Sequence, residues 1–297
     1  MKVAITGSTG LVGSALVPFL TTGEHEVLRV KRSTGAGAGE IDWDPAKGEM
    51  NPARLEGLDA VVHLAGENIA ARRWNAAQKA LIRDSRVKGT KLLCETLARL
   101  RQPPRVLVSA SAIGFYGDRG EEELTEASSA GTGFLAEVGR AWEAATEPAI
   151  KAGMRVVHLR LGVILSPRGG ALAKMLTPFR LGVGGRIGSG RQWMSWIALD
   201  DAVGSIYHAM CTERLGGPVN AVSPNPVTNL EFTKTLGKIL WRPTIFPMPG
   251  FMARLAFGEM ANELLLASTR VVPRTLLDSK YGFIYGDLES ALRHLLS

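Results

Sequence analysis

Val3-Ala4-Ile5-Thr6-Gly7-Ser8-Thr9-Gly10-Leu11-Val12-Gly13 decides how this 297-residue chain begins to fold. The three leading apolar residues read as a short buried strand. From Leu11 onward, apolar residues recur at Leu11, Val12, Ala15, Leu16, Phe19 and Leu20, the spacing of one helix face. Gly7 permits a tight turn, Gly10 lets the backbone approach a ligand closely, and Gly13 lets the helix pack against the strand. The free N–H groups at the helix start, around Thr9, Gly10, Leu11 and Val12, then face an anion. Strand, glycine turn and helix in that order are what a dinucleotide pyrophosphate requires.

Working outward, strand-like runs alternate with helical patterns as far as residue 165. Strands are expected at Val3–Ile5, Glu26–Val30, Ala60–Leu64, Arg105–Ser109 and Arg155–Leu161. Helices are expected from Leu11, from about Asn75 to Leu100, and from about Gly133 to Ala152. The alternation predicts an α/β fold with a Rossmann-type doubly wound parallel sheet, whose ligands lie at the carboxyl ends of the strands. Residues 1–165 are expected to form this core, and 166–297 a smaller C-terminal substrate lobe and helical region with segments returning to the core. The apolar, helix-periodic Met252, Leu255, Ala256, Met260, Leu264 and Leu265 in that region read as core or lid surface.

The spacing Gly-x-x-Gly-x-x-Gly after Thr6 resembles the extended form of the short-chain dehydrogenase/reductase superfamily, the sugar-epimerase-like branch. The likeness continues in Leu58-Asp59-Ala60-Val61-Val62-His63-Leu64-Ala65-Gly66, in Val87-Lys88-Gly89-Thr90-Lys91-Leu92-Leu93, and in Gly190-Arg191-Gln192-Trp193-Met194-Ser195-Trp196-Ile197-Ala198-Leu199-Asp200-Asp201. Closer still, Leu64 to Ile69 with Arg73-Trp74, Phe179-Arg180-Leu181-Gly182, and Ser223-Pro224 with Pro226-Val227-Thr228-Asn229 resemble one atypical epimerase-like family that carries its own C-terminal domain. By that resemblance the turn Leu64-Ala65-Gly66 lies beside the cofactor ribose and phosphates. Arg86 stands near the cofactor's inner half, and Gly162, after the Arg155–Leu161 strand, is a further cofactor contact.

The end of the second strand selects the cofactor. An acidic residue there accepts hydrogen bonds from a ribose 2′-hydroxyl, whereas a base accommodates a 2′-phosphate. Here the strand runs into Lys31-Arg32-Ser33 and no carboxylate follows. Arg32 offers a fork of donors and Lys31 a point charge, so NADP (NADPH) is expected in preference to NAD. The competing reading is a solvated basic pair. Asp42 resembles a segment that borders the adenine.

The resemblance implies a catalytic serine after the strand near Ser109 and a Tyr-x-x-x-Lys on the next helix. Ser109-Ala110-Ser111-Ala112-Ile113-Gly114-Phe115-Tyr116-Gly117 supplies the serine end, but Phe134 and Val138 stand where the tyrosine and lysine belong. No Tyr-x-x-x-Lys occurs at Tyr116, Tyr207, Tyr281 or Tyr285. Phe134 carries no proton, so Ser111 and Tyr116 become the candidate catalytic residues, with Glu137 and Lys174 behind them. For Tyr116 the competing reading is an aromatic that shapes the substrate pocket. Met194 and Ala198 replace an arginine and a histidine that nucleotide-sugar enzymes carry, which argues against UDP-sugar epimerisation. Ser109, Arg186, Arg191 and Trp193 are the candidate substrate contacts. Two readings stay open: an NADP-dependent oxidoreductase or epimerase-like enzyme with non-standard catalytic residues, or a catalytically silent NADPH-binding sensor or scaffold.

Composition bounds the rest. With 45% hydrophobic residues the chain can bury a large core. No stretch approaches the roughly 18 apolar residues of a membrane span, so a cytoplasmic protein with no membrane partner is expected. The net charge of +7 is spread along the chain without a compact basic run, which argues against nucleic acid. Cys94 and Cys211 read as core packing, and the five histidines show no metal-ligand spacing. His63 and His158 fall inside expected strands and read as structural. The expected partner is an unidentified small molecule, with a homodimer left open.

Overall fold

The computed structural model describes residues 1–32, 37 and 39–297. Ser33, quoted above, lies outside the described residues. Seven parallel strands are β1 (Lys2–Thr6), β2 (Glu26–Lys31), β3 (Glu40–Asp44), β5 (Ala60–His63), β6 (Val106–Ala112), β8 (Arg155–Leu161) and β12 (Gly217–Ala221). The antiparallel β4 (Glu49–Met50) completes an eight-stranded sheet in the order β12-β8-β6-β5-β1-β2-β3-β4. The order reverses between β1 and β5. A crevice therefore opens at their carboxyl ends.

Both faces of the central strands are covered, so β1, β5 and β6 are buried along nearly their whole length and alternate residues enter different cores. Val3, Ile5, Ala60, Val62, Val106, Val108, Val157 and Leu159 pack with α1 (Leu11–Thr22) and α6 (Leu199–Cys211). Ala4, Val61, Leu107 and Val156 pack on the other side with α2 (Ala76–Ala98) and α4 (Glu147–Lys151). Helix α3 (Phe134–Ala144) precedes α4. The single helix expected over 133–152 is therefore two: Pro148 lacks an N–H and its ring would clash with a carbonyl one turn earlier, so the helix restarts there.

The chain after residue 165 supplies both α6 and β12 to this layer structure. Pro218 is tolerated in β12 because that strand is at the sheet edge. A second core joins α5 (Gly170–Arg180), α7 (Asn229–Leu240) and α11 (Leu288–Leu296) through Leu172, Leu176, Phe179, Phe232, Leu236 and Leu292. Three small ladders tie the lobes together: β7 (Glu123–Leu124) with β14 (Arg270–Val271), β9 (Val163–Leu165) with β11 (Trp196–Ala198), and β10 (Trp193–Met194) with β13 (Val227–Thr228). The helices α8 (Gly250–Phe257), α9 (Glu259–Ala261) and α10 (Arg274–Asp278) complete the order. Met252 and Leu255 of α8 point outward, whereas Ala253 is its buried residue. Cys211 departs from expectation too. It lies exposed at the end of α6, while Cys94 is buried.

One polar chain crosses the crevice floor. Thr6 Oγ1 accepts from the backbone N–H groups of Leu64 (3.1 Å) and Ala65 (3.2 Å), so its own hydrogen goes to His63 Nδ1 at 2.7 Å. Nε2 therefore carries the imidazole proton and donates to Thr90 Oγ1 at 2.9 Å. His63 is fully buried, and burial lowers its pKa to about 4. An unfolded chain takes up a proton on this residue below about pH 6.5, whereas the folded chain stays neutral down to about 4. Its contribution is thus intact above pH 6.5 and is lost as pH falls to 4, a loss of about 3 kcal/mol. His158, lowered by burial as well, acts in the same direction. Urea titrations between pH 7 and 4 should show the fall in stability, and a His63→Gln variant, though less stable at pH 7, should show a shallower one. An equal slope in both proteins would refute the buried neutral imidazole.

Candidate functional site

The turn after β1 is built by contacts that only glycine allows. Gly7 has φ +68°, and a Cβ there would stand 2.8 Å from the Leu64 backbone. At Gly13 a Cβ would come within 2.2 Å of the Gly7 carbonyl oxygen, so the first turn of α1 lies directly on the loop. Gly10 is different. A Cβ there would meet only the Gly7 oxygen, at 3.3 Å, and Gly10 and Thr9 are exposed. Gly10 is also the N-cap of α1, with no side chain capping the helix and no acidic residue in its first turn. The start of α1, at Leu11 and Val12, is thus an uncapped, positively polarised helix end. At the other end of the turn Gly7 lies against the Leu64-Ala65 backbone. The start of α5 closes in from the side: a Cβ on Gly169 or Gly170 would lie 3.3 Å from the Leu11 side chain. Sequence reasoning passed over that glycine pair.

Lys31 and Arg32 part company. Lys31 forms an ion pair with Glu40 on the neighbouring β3, which neutralises it. Arg32 is exposed and makes no hydrogen bond or ion pair with any described residue. The resulting free guanidinium stands at the carboxyl end of β2. Arg86, midway along α2, lies between two surfaces. Its guanidinium rests against Gly66, where a Cβ would be 3.3 Å from Cζ, and stacks 5.0 Å from the Trp142 ring of α3. Burial pushes it down to about 10, the Glu67 charge opposing.

The two catalytic candidates are placed elsewhere. β6 is buried on both faces from Val106 to Ser111, so Ser109 and Ser111 are buried and only Ala112, at the strand end, is exposed. Ser111 donates to Glu143 Oε1 at 2.7 Å. Glu143 in turn holds Arg160 of β8 through two bonds of 2.8 Å. Arg160 donates to the Tyr116 hydroxyl at 2.9 Å, and Tyr116 donates to Asn220 Oδ1 at 2.7 Å. Tyr116 is 0% exposed, and burial raises its pKa while Arg160 opposes the rise. Ser111 and Tyr116, expected as catalytic candidates, are thus buried and joined in one hydrogen-bond network with Glu143, Arg160 and Asn220. The signal missed was long-range: Glu143, Arg160 and Asn220 each lie on a different element. Ser109 is likewise buried, its hydroxyl only 3.5 Å from its neighbour's carbonyl oxygen.

The sequence profile of the NAD dependent epimerase/dehydratase family matches residues 3–221, which contain the eight-stranded sheet apart from Lys2. This chain belongs to that family. A second profile, a domain of unknown function, matches residues 248–295. An epimerase family protein of Mycobacterium bovis is 46% identical over 290 residues, 98% of this chain and 96% of that one. The crystal structure of a human epimerase family protein, an extended short-chain dehydrogenase/reductase solved with NADPH, is 36% identical and superposes with a TM-score of 0.92, covering 99% of each chain. A nucleoside-diphosphate sugar epimerase from Corynebacterium glutamicum is 44% identical with a TM-score of 0.83, this chain covering 58% of that one.

In this family member the remaining candidates are scattered. Gly162 lies at the junction of β8 and β9, where a Cβ would be 2.7 Å from the Ser195 oxygen. Arg186 binds the Gly188 carbonyl oxygen of its own loop, Arg191 is exposed, and Trp193 donates to Glu121 at 2.7 Å under the Arg270 guanidinium. Lys174 donates to the Ala70 carbonyl. Phe134 opens α3 against the Trp74 ring (5.2 Å) with Lys79 above it (4.7 Å), beside a surface hollow of about 560 Å³ that Arg83, Glu137 and Glu259 also line. Glu263 caps this helix, accepting from the N–H groups of Phe134 (3.0 Å) and Leu135 (3.1 Å). Among the described residues no three His, Cys, Asp or Glu side chains are grouped to hold a metal, and no helix is long and apolar enough to cross a membrane.

Tyr116→Phe removes one hydroxyl and leaves Asn220 Oδ1 without a donor and Arg160 Nη1 without an acceptor. Stability should fall by about 1–3 kcal/mol in urea titrations while cofactor affinity stays unchanged. A loss of activity with full stability would restore Tyr116 as a reacting group.

Proposed function

We propose that this chain binds NADP(H) along the carboxyl ends of β1, β2 and β5 and acts on a small carbonyl or carbinol compound. One observation carries the choice of cofactor: among the described residues at the end of β2, Lys31 is paired with Glu40 and Arg32 has no carboxylate partner. A forked guanidinium at that point makes charge-assisted, two-pronged bonds to a 2′-phosphate, whereas to a bare 2′-hydroxyl it offers only a single hydrogen bond to a neutral acceptor. The residues around the crevice fit the rest of a dinucleotide. The exposed Thr9-Gly10 turn and the uncapped start of α1 would take the pyrophosphate, and Leu64-Ala65 would border the ribose. The human relative solved with NADPH supports the same reading. When bound, such a cofactor supplies hydride exchange with carbon.

Proton chemistry at the substrate oxygen is the weaker half of the site. Phe134 offers no proton, and the Ser111 and Tyr116 hydroxyls are both committed to the buried network. That commitment favours a second reading in which the chain binds NADPH without turnover and reports on it. Steady-state NADPH oxidation with a panel of small aldehydes, ketones and keto acids separates the two. Turnover above the protein-free rate supports an enzyme whose acid lies outside Ser111 and Tyr116; none across the panel supports the sensor.

The cofactor assignment has its own tests. Arg32→Asp should raise the NADPH dissociation constant at least about tenfold and change that for NADH much less, because one charge-assisted contact is replaced by repulsion. Equal loss for both cofactors in calorimetry would overturn the assignment. Gly10→Val should fold normally, since only one oxygen lies near the new Cβ, yet should lose the thermal stabilisation that NADPH confers on the parent. Retained stabilisation would place the phosphates elsewhere.

A further inference from the structure

Large apolar side chains that face water are gathered on the C-terminal lobe. Leu181, Trp241, Ile245, Phe251 and Leu255 are each more than two-thirds exposed, and they lie on two segments that touch. Arg242 Nε donates to the Arg180 carbonyl oxygen, Met248 N to the Arg186 oxygen, and Gly188 N back to the Met248 oxygen, each at 2.8 Å. Residues 241–248 therefore run beside 180–188 and lead directly into α8, whose outward face carries Phe251, Met252 and Leu255 while Ala253 is buried. An exposed apolar stretch of this extent marks a contact surface. Trp241 shows it most sharply. It is 88% exposed, and at the C-cap of α7 its φ is +54°, a left-handed conformation that suits glycine and strains a bulky residue. Fold stability accounts for neither the exposure nor the strain.

The charge of the same surface has one sign. Residues 167–199 contain five Lys or Arg and residues 232–258 contain four, with no Asp or Glu in either segment, so the net +7 of the chain is concentrated here. Among the described residues only Lys238 of these cations pairs with a carboxylate, that of Glu289. Glu231 and Glu259, which border the second segment, are engaged by Thr228 and Lys79. Arg180, Arg242 and Arg254 are exposed and stand directly beside Leu181, Trp241 and Leu255.

We propose that this face docks on a lipid bilayer with anionic headgroups: Trp241, Phe251 and Leu255 enter the boundary between headgroups and acyl chains, and Arg180, Arg242 and Arg254 meet the phosphates. Aromatic and aliphatic side chains flanked by basic ones are what such an interface takes up. A second copy of the chain is a poor occupant, because a two-fold pairing would set the same arginines against each other with no carboxylate to answer them. A surface of this kind lies in the membrane plane and needs no spanning segment, so the lack of apolar spans does not bear on it. The proposal is independent of what the crevice binds.

Flotation of the full chain with vesicles of phosphatidylcholine, alone or mixed with phosphatidylglycerol, tests it. Binding should appear with the mixed vesicles and weaken as salt is added. Arg180→Gln and Arg242→Gln should each weaken it about fivefold, the worth of one basic side chain near an anionic surface. Trp241→Gly should melt no lower than the parent, since glycine suits the left-handed position, yet bind at least about tenfold more weakly. Trp241 also supplies a direct reporter. The other five tryptophans are buried or half-buried, so phospholipids brominated on their acyl chains should quench the emission of the parent and have little effect on Trp241→Phe. No binding to the mixed vesicles, equal binding to both kinds, or binding without quenching would overturn the proposal. So would a parent that self-associates in lipid-free sedimentation and loses that association with Trp241→Gly, which would make this face an interface between copies.

Discussion

A neutral imidazole holds the crevice open. His63 cannot be charged where it is buried, and its two ring nitrogens join β1 to α2 through Thr6 and Thr90. Thr6 is the pivot, because its single oxygen serves the imidazole and two backbone N–H groups of the turn after β5. The positions of Leu64, Ala65 and Gly66, and through Gly66 the plane of Arg86, follow from that one side chain. So does the tight approach of Gly7 to Leu64. A sheet can place two strand ends side by side, but only specific hydrogen bonds set how the loops leave them.

The second polar assembly, Ser111-Glu143-Arg160-Tyr116-Asn220, does something else with residues that the superfamily resemblance associates with chemistry. Arg160 carries a bidentate partner, a phenol hydroxyl and the Phe115 ring 3.6 Å away, so nearly all its bonding capacity is used. A buried ion pair of this kind is expensive to break and specifies one arrangement of strands β6, β8 and β12. The serine and tyrosine hydroxyls drawn into it are oriented and shielded by their partners, and α3 carries Phe134 and Val138 where the resemblance places a Tyr-x-x-x-Lys.

Strands that are apolar and flanked by helical periods were legible: β1, β2, β5 and β8 fall within about a residue of expectation, and β6 extends to Ala112. β3 went unread although Glu40-Ile41-Asp42-Trp43-Asp44 alternates acidic and apolar residues with the period of a half-buried strand, and β12 went unread because Gly217-Pro218 reads as a turn. The break at Pro148 was readable from local sterics. For the site, the glycine turn was legible because its constraints are local: three glycines within seven residues, each answering a contact with its own loop or the adjacent strand end. The ion pair of Lys31 with Glu40 was not legible, because Glu40, on the next strand, cannot be placed beside it without register. The burial of Ser111 and Tyr116 depends on partners 32 and 104 residues away, a separation at which motif spacing carries no information.

The capping of α3 by Glu263 bears on how the chain is divided. Family profiles separate residues 3–221 from 248–295, yet the second segment supplies the acceptor for the first two N–H groups of a helix in the first. Asn220 Nδ2 donates to the Val272 oxygen, and Val271 N donates to Ser195 Oγ, so the seam is stitched at several points. A chain ended after Ala221 would leave α3 with bare donors and β12 without its cover. The two segments are interlocked parts of one folding unit: neither can be exchanged for a foreign counterpart unless the carboxylate at Glu263 and its reach to α3 travel with it.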